Sequence, residues 1–110
     1  MPGVPKIEFL WWRECPSWER ALGILREAMR EEGLDPELIA VTEIETEDDA
    51  QRAGFPGSPT IRIDGADLQP PGADAPRGLT CRVYRLRDGR ASPIPDPQDL
   101  REALRKARDG

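Results

Sequence analysis

The spacing of apolar positions divides the chain into strands and helices. Lys6–Trp12 is a dense apolar run, with Ile7, Phe9, Leu10, Trp11 and Trp12, and reads as a first strand. From Pro16 to about Glu32 the period lengthens. Trp18, Ala21, Leu22, Leu25, Ala28 and Met29 recur at three- and four-residue steps, while Glu19, Arg20, Arg26, Glu27 and Arg30 fill the other face. This predicts an amphipathic helix with Pro16 at its first position and Gly33 as its stop. Leu38–Glu45 reads as a second strand. Thr46-Glu47-Asp48-Asp49 then supplies a capping-box pattern for a short helix reaching about Ala53.

The stretch "GFPGSPT" is a turn-rich loop before a third strand, Thr60–Asp64, where Ile61 and Ile63 alternate with Arg62. Gly65–Thr80 is rich in proline and glycine and is expected to be a long irregular connection; such connections often act as mobile lids. Cys81–Arg87 reads as a fourth strand, with Val83 and Leu86 as its apolar positions and Tyr84 between them. Asp88-Gly89 makes a turn. Asp96-Pro97-Gln98-Asp99 opens a last helix whose buried stripe is Leu100, Ala103, Leu104 and Ala107. The order is β-α-β-α-β-β-α. A strand, a helix and a strand in succession make a parallel pair, while the last two strands are closer to a hairpin. The expected fold class is therefore α/β, a mixed sheet flanked by helices. Residues 1–110 form a single domain, with 65–80 as the irregular loop.

Composition narrows the function classes. The 110 residues are 37% hydrophobic and 34% charged with a formal net charge of −5, which argues against binding nucleic acid through its phosphates. No apolar run approaches a membrane span, and Met1–Lys6 lacks the marks of a signal peptide. Only two cysteines are present, too few for a secreted disulfide scaffold, so the expected location is cytoplasmic. There is no histidine. This removes Ser-His and Cys-His catalysis and most zinc sites.

What chemistry remains centres on "WWRECPSW", where a strand hands over to a helix at Cys15. Together with "GSPT" ahead of the third strand and a terminal helix after the hairpin, this segment resembles the thioredoxin-like superfamily over nearly the whole chain, Lys6 to Ala107. It is most similar to small bacterial thioredoxin-like proteins, some of which carry selenocysteine at the position matching Cys15. The resemblance implies a minimal thioredoxin-like fold, a thiol-dependent oxidoreductase activity, and a cis proline at Ser58-Pro59 facing the cysteine. Where that family's Cys-x-x-Cys motif has its second cysteine, this chain has Trp18, so only Cys15 and the Ser58-Pro59 loop carry over.

A thiol at a helix start is favoured as thiolate, and Cys15 is the candidate nucleophile for a disulfide or peroxide. Cys81, or an external thiol, would resolve the product. Trp12, Pro16, Trp18, Ser58 and Pro59 are the candidate substrate-binding residues. The partner would be a protein or low-molecular-weight thiol or disulfide, or a peroxide; no cofactor, nucleic acid or membrane is called for. Plainer readings stand beside these. Cys15 and Cys81 could be small core residues, Trp18 could pack in the core, and Ser58-Pro59 could be an ordinary tight turn. The acids Glu43, Glu45, Glu47, Asp48 and Asp49 could hold a hard cation, although helix capping already accounts for them. Two thiolates could also hold a soft ion or an arsenical, and the chain bears a loose likeness to organomercurial lyases, which use two separated cysteines and an acid. A redox-inactive binding module is the remaining alternative.

Overall fold

The computed structural model describes residues 4–72 and 74–110. Met1–Gly3 and Ala73 lie outside them, and with them part of the N-terminal stretch that bears on a leader and one position of the 65–80 connection. Strand β1 (Ile7–Trp11) is an inner strand of a four-stranded sheet. It pairs in parallel with β2 (Ile39–Glu43) at the sheet edge, and antiparallel with β3 (Thr60–Ile63). Beyond β3 lies β4 (Ala66–Asp67), giving the order β2-β1-β3-β4. The sheet is thus mixed, and three helices cover it.

Alternation along β1 assigns the two faces. Ile7 and Phe9 point to one side with Ile61 and Ile63 opposite them in register, and join Leu22, Leu25 and Met29 of α1 (Trp18–Glu31) and Leu100 and Leu104 of α3 (Pro97–Asp109). Leu10 points to the other side, where a smaller cluster with Ile44, Ala50 and Phe55 is covered by α2 (Glu47–Ala53). Trp11 and Trp12 divide the same way, one to each cluster. Arg62, on the α2 face, donates to the carbonyls of Ala53 and Gly54 at 2.7 and 3.2 Å, satisfying the end of that helix. Among the described residues no helix is long and apolar enough to cross a membrane.

The helices follow their sequence signals closely. Thr46 Oγ1 accepts from Asp49 N at 3.0 Å, and Asp96 Oδ1 accepts from Gln98 N at 2.9 Å. The start of α1 differs. Cys15 N donates to Trp12 O at 3.0 Å and closes a turn first, so the helix begins at Trp18 and Pro16 lies before it. The start of β2 is displaced by one residue because Pro36–Leu38 forms a 3-10 turn capped by Asp35.

The largest departure is in the second half. The fourth strand of the sheet is Ala66–Asp67, reached through Asp64 and Gly65 with φ of 52° and 85°, the conformation of a tight two-residue hairpin turn. The region expected as strand 81–87 forms a single parallel bridge, Cys81 to Ser58, and a short strand β5 (Tyr84–Arg85) that pairs with β6 (Ala91–Ser92) in a ribbon separate from the sheet. Its facing is also reversed: Tyr84 is fully buried and Val83 is 68% exposed. The hydroxyl and guanidinium of Tyr84 and Arg82 find partners inside, which decides the facing against simple hydropathy.

Helices α1 and α3 are joined at their ends by Glu32, which is buried and receives a two-pronged bond from Arg105 at 2.9 and 3.0 Å. That hydrogen bond, reinforced by the charges of Arg105 and Arg108, holds the Glu32 carboxyl below its ordinary value against the opposing effect of burial. A lowered folded-state pKa contributes stability that is present above the unfolded value and lost as pH falls through the folded one. Glu32→Gln is therefore expected to melt at a lower temperature than the wild type at neutral pH. The gap should close as the pH is taken below about 4.3, the ordinary glutamate value, as read by thermal denaturation across that range.

Candidate functional site

Cys15 sits in the turn between β1 and α1. It is 2% exposed, and its Sγ donates toward the Ser58 carbonyl at 3.5 Å. The thiol is therefore sealed from solvent, yet aimed at the proline loop. The Ser58–Pro59 peptide is cis. Ser58 is bonded through each of its polar atoms. Its N–H donates to Thr80 O at 2.8 Å, its carbonyl accepts from Arg82 N at 3.0 Å, and its hydroxyl accepts from Trp12 N at 3.0 Å. Residues 80–82 thus run parallel to Ser58 and set Cys81 opposite it.

The result is a pair of thiols at one place, one inside and one outside. Cys81 is exposed as a residue, whereas Cys15 is buried. Partial burial, and then the nearby Cys15, push the Cys81 thiol above its ordinary value.

Arg82 and Tyr84 hold this arrangement from within. The Arg82 guanidinium lies against Asp67 at 2.8 Å, the Gln69 carbonyl at 2.7 Å and Thr60 Oγ1 at 3.4 Å, and stacks 4.3 Å from the centre of the Tyr84 ring. The Tyr84 hydroxyl donates to the Pro59 carbonyl at 2.6 Å, and burial drives its pKa up. Gly57 lets the two segments meet: its φ is +138°, and a Cβ there would lie 2.9 Å from Arg82 Cβ. The 65–80 connection is tied down at several points, by Gln69 to both backbone groups of Arg85 and by Gly78 N to Phe55 O. Beside Cys81 it walls a cleft of about 350 Å³ lined by Pro56, Pro70, Pro76, Thr80 and Val83 among others.

The structure thus brings together Cys15, Cys81, Ser58 and Pro59. Trp12 meets them through its backbone, while its side chain packs toward the α2 cluster. Pro16 is exposed, and Trp18 stacks on Trp11 with ring centres 4.0 Å apart. Neither lines the cleft beside Cys81. Three of the five acids are otherwise engaged: Glu43 pairs with Arg13 at 3.0 Å, Glu47 accepts from Leu79 N at 3.3 Å, and Asp49 pairs with Arg52. Among the described residues no three of His, Cys, Asp and Glu converge as a metal site. Arg82, Tyr84, Asp67 and the prolines of the cleft were not among the sequence candidates. The signal available for them was the run Cys81-Arg82-Val83-Tyr84, whose inward-facing members are the polar ones. Comparison with known protein families, characterised proteins and solved structures gives no match.

Two outcomes follow from this geometry. Tyr84→Phe leaves the Pro59 carbonyl without its buried donor and is expected to cost about 1–3 kcal/mol in chemical denaturation. Cys15→Ser removes one neighbour that raises the Cys81 pKa, so the pH midpoint for alkylation of Cys81 should fall relative to the wild type. Iodoacetamide rates followed by mass spectrometry across the thiol range measure it.

Proposed function

We propose that the chain is a thiol–disulfide oxidoreductase of thioredoxin-like type in which Cys15 and Cys81 form the redox pair. The observation that carries this reading is that Ser58, just before Pro59, takes the Cys15 thiol on its carbonyl and stands opposite Cys81. The architecture supports it too: a parallel strand–helix–strand start, an antiparallel strand pair, a cysteine between the first strand and its helix, and a closing helix. In this reading Cys81 supplies, from across the fold, the second thiol that a Cys-x-x-Cys motif would have placed at Trp18. Oxidation joins the two sulfurs with loss of one hydrogen from each, and the two electrons reduce a substrate disulfide to two thiols.

Two convergent thiolates also suit a two-coordinate soft ion such as Hg(II) or Cu(I), the second reading that the same pair of sulfurs favours. The two are separated by oxidation of the metal-free protein. A thiol–disulfide redox buffer is expected to yield a monomer lighter by two hydrogens, with Cys15 and Cys81 in one cross-linked peptide on mapping. Independent modification of both cysteines without a cross-link would overturn the oxidoreductase reading. A 1:1 Hg(II) complex, lost in either Cys→Ser variant, would then favour the soft-ion reading.

A further inference from the structure

We infer that Cys81, rather than Cys15, is the sulfur that bonds to the outside partner, and that this partner is a small non-protein thiol or its disulfide. The inference rests on the dithiol reading above and adds the order of events and the substrate class.

The order comes from access. Exchange requires an attacking sulfur to approach in line with the bond it breaks, and Cys15 is 2% exposed with its Sγ turned onto the Ser58 carbonyl. Cys81 is exposed and forms part of the wall of the cleft of about 350 Å³, a volume within the range of small-molecule sites, roughly 300–1,000 Å³.

The substrate class comes from the backbone. An extended polypeptide docking beside Cys81 would need free main-chain groups to pair with. At Ser58, the residue facing Cys81, the N–H is bonded to Thr80 and the carbonyl to Arg82, so the chain itself occupies that edge. The cleft walls include Pro56, Pro70, Pro71 and Pro76, which have no N–H to offer. A compact partner that requires no strand pairing fits this site.

The chemistry balances as follows. With the pair oxidised, a small thiolate RS⁻ attacks Cys81 Sγ. The Cys15–Cys81 bond breaks, its electron pair goes to Cys15, and Cys15 takes up a proton. A second RS⁻ attacks the R sulfur of the mixed disulfide, forming RSSR and releasing Cys81, which is protonated in turn. The sum is two RSH consumed, one RSSR formed and two protein thiols regenerated; the reverse sequence reduces RSSR.

The test uses the full chain and bis(2-hydroxyethyl) disulfide. In Cys15→Ser, Cys81 should take up one hydroxyethylthio group; in Cys81→Ser, Cys15 should do so at least about tenfold more slowly, as expected of a shielded thiol. Equal rates, or a faster Cys15, overturn the order. If the wild type forms its internal disulfide while these rates are equal, the dithiol reading survives and this inference falls. If no internal disulfide forms, the dithiol reading falls, and the variants still report which sulfur the reagent reaches. Should Cys15→Ser not fold, brief substoichiometric iodoacetamide on the reduced wild type answers instead: the label is expected in the Cys81 peptide, and a label on Cys15 overturns the order. The reduced wild type should also react with bis(2-hydroxyethyl) disulfide at least about tenfold faster per disulfide than with insulin. Equal single-turnover rates would overturn the substrate class.

Discussion

The arrangement of the second half of the chain depends on Ser58. Its N–H, carbonyl and hydroxyl reach Thr80, Arg82 and Trp12, so a single residue ties the segment after β1, the start of β3 and the approach to β5 into one place. The β5–β6 ribbon shares no strand pairing with the main sheet. Without the bridge at Ser58, only side-chain contacts would locate it. The two cysteines meet as a consequence: Cys15 is held by the turn after β1, and Cys81 by its place between the two residues that bond Ser58.

Arg82 shows why this register is specific. A guanidinium taken out of water is tolerated only where its donors are matched, and here Asp67, Gln69 O and Thr60 Oγ1 receive them while the Tyr84 ring covers one face. A slip of one residue would turn Arg82 out and Cys81 or Val83 in, leaving Asp67 without its cation. The net contribution of such a pair to stability is small, because desolvation offsets attraction. Its effect is to penalise the wrong register, and Gly57 sets the distance at which the right one closes.

The same residues explain what was legible in the sequence. Helices α1, α2 and α3 announce themselves because their periodicity and caps are local: Thr46 and Asp96 act on backbone groups two or three residues away. β1 and β3 are legible because inner strands flanked by helices are strongly apolar on one face. The strand at Ala66–Asp67 is hidden by its brevity, and its Asp64-Gly65 turn lies in a stretch where proline and glycine suggest irregularity. Cys81–Arg87 misleads for a different reason. Hydropathy places Val83 inward, but the interior there is built from a ring, a hydroxyl and a matched ion pair, so the polar alternates face in. The meeting of the two cysteines is a long-range property of that register, and no local spacing encodes it.

Cys15 and Cys81 differ in access although Ser58 links them: the first is buried with its Sγ on the Ser58 carbonyl, and the second is exposed opposite Ser58. Residues 80–82 are held at Ser58 by two backbone hydrogen bonds, each worth about 0.5–1.5 kcal/mol net, because water replaces what is lost. Arg82 adds to that hold, since lifting the segment would also break its bonds to Asp67, the Gln69 carbonyl and Thr60 Oγ1 and its stack on Tyr84. Tyr84, fully buried and bonded to Pro59, resists further unzipping toward β5 and limits the opening to a few residues. The buried thiol reacts only as the structure opens locally, while its exposed neighbour reacts without any opening. The fold thus separates the two sulfurs by access much more than by position.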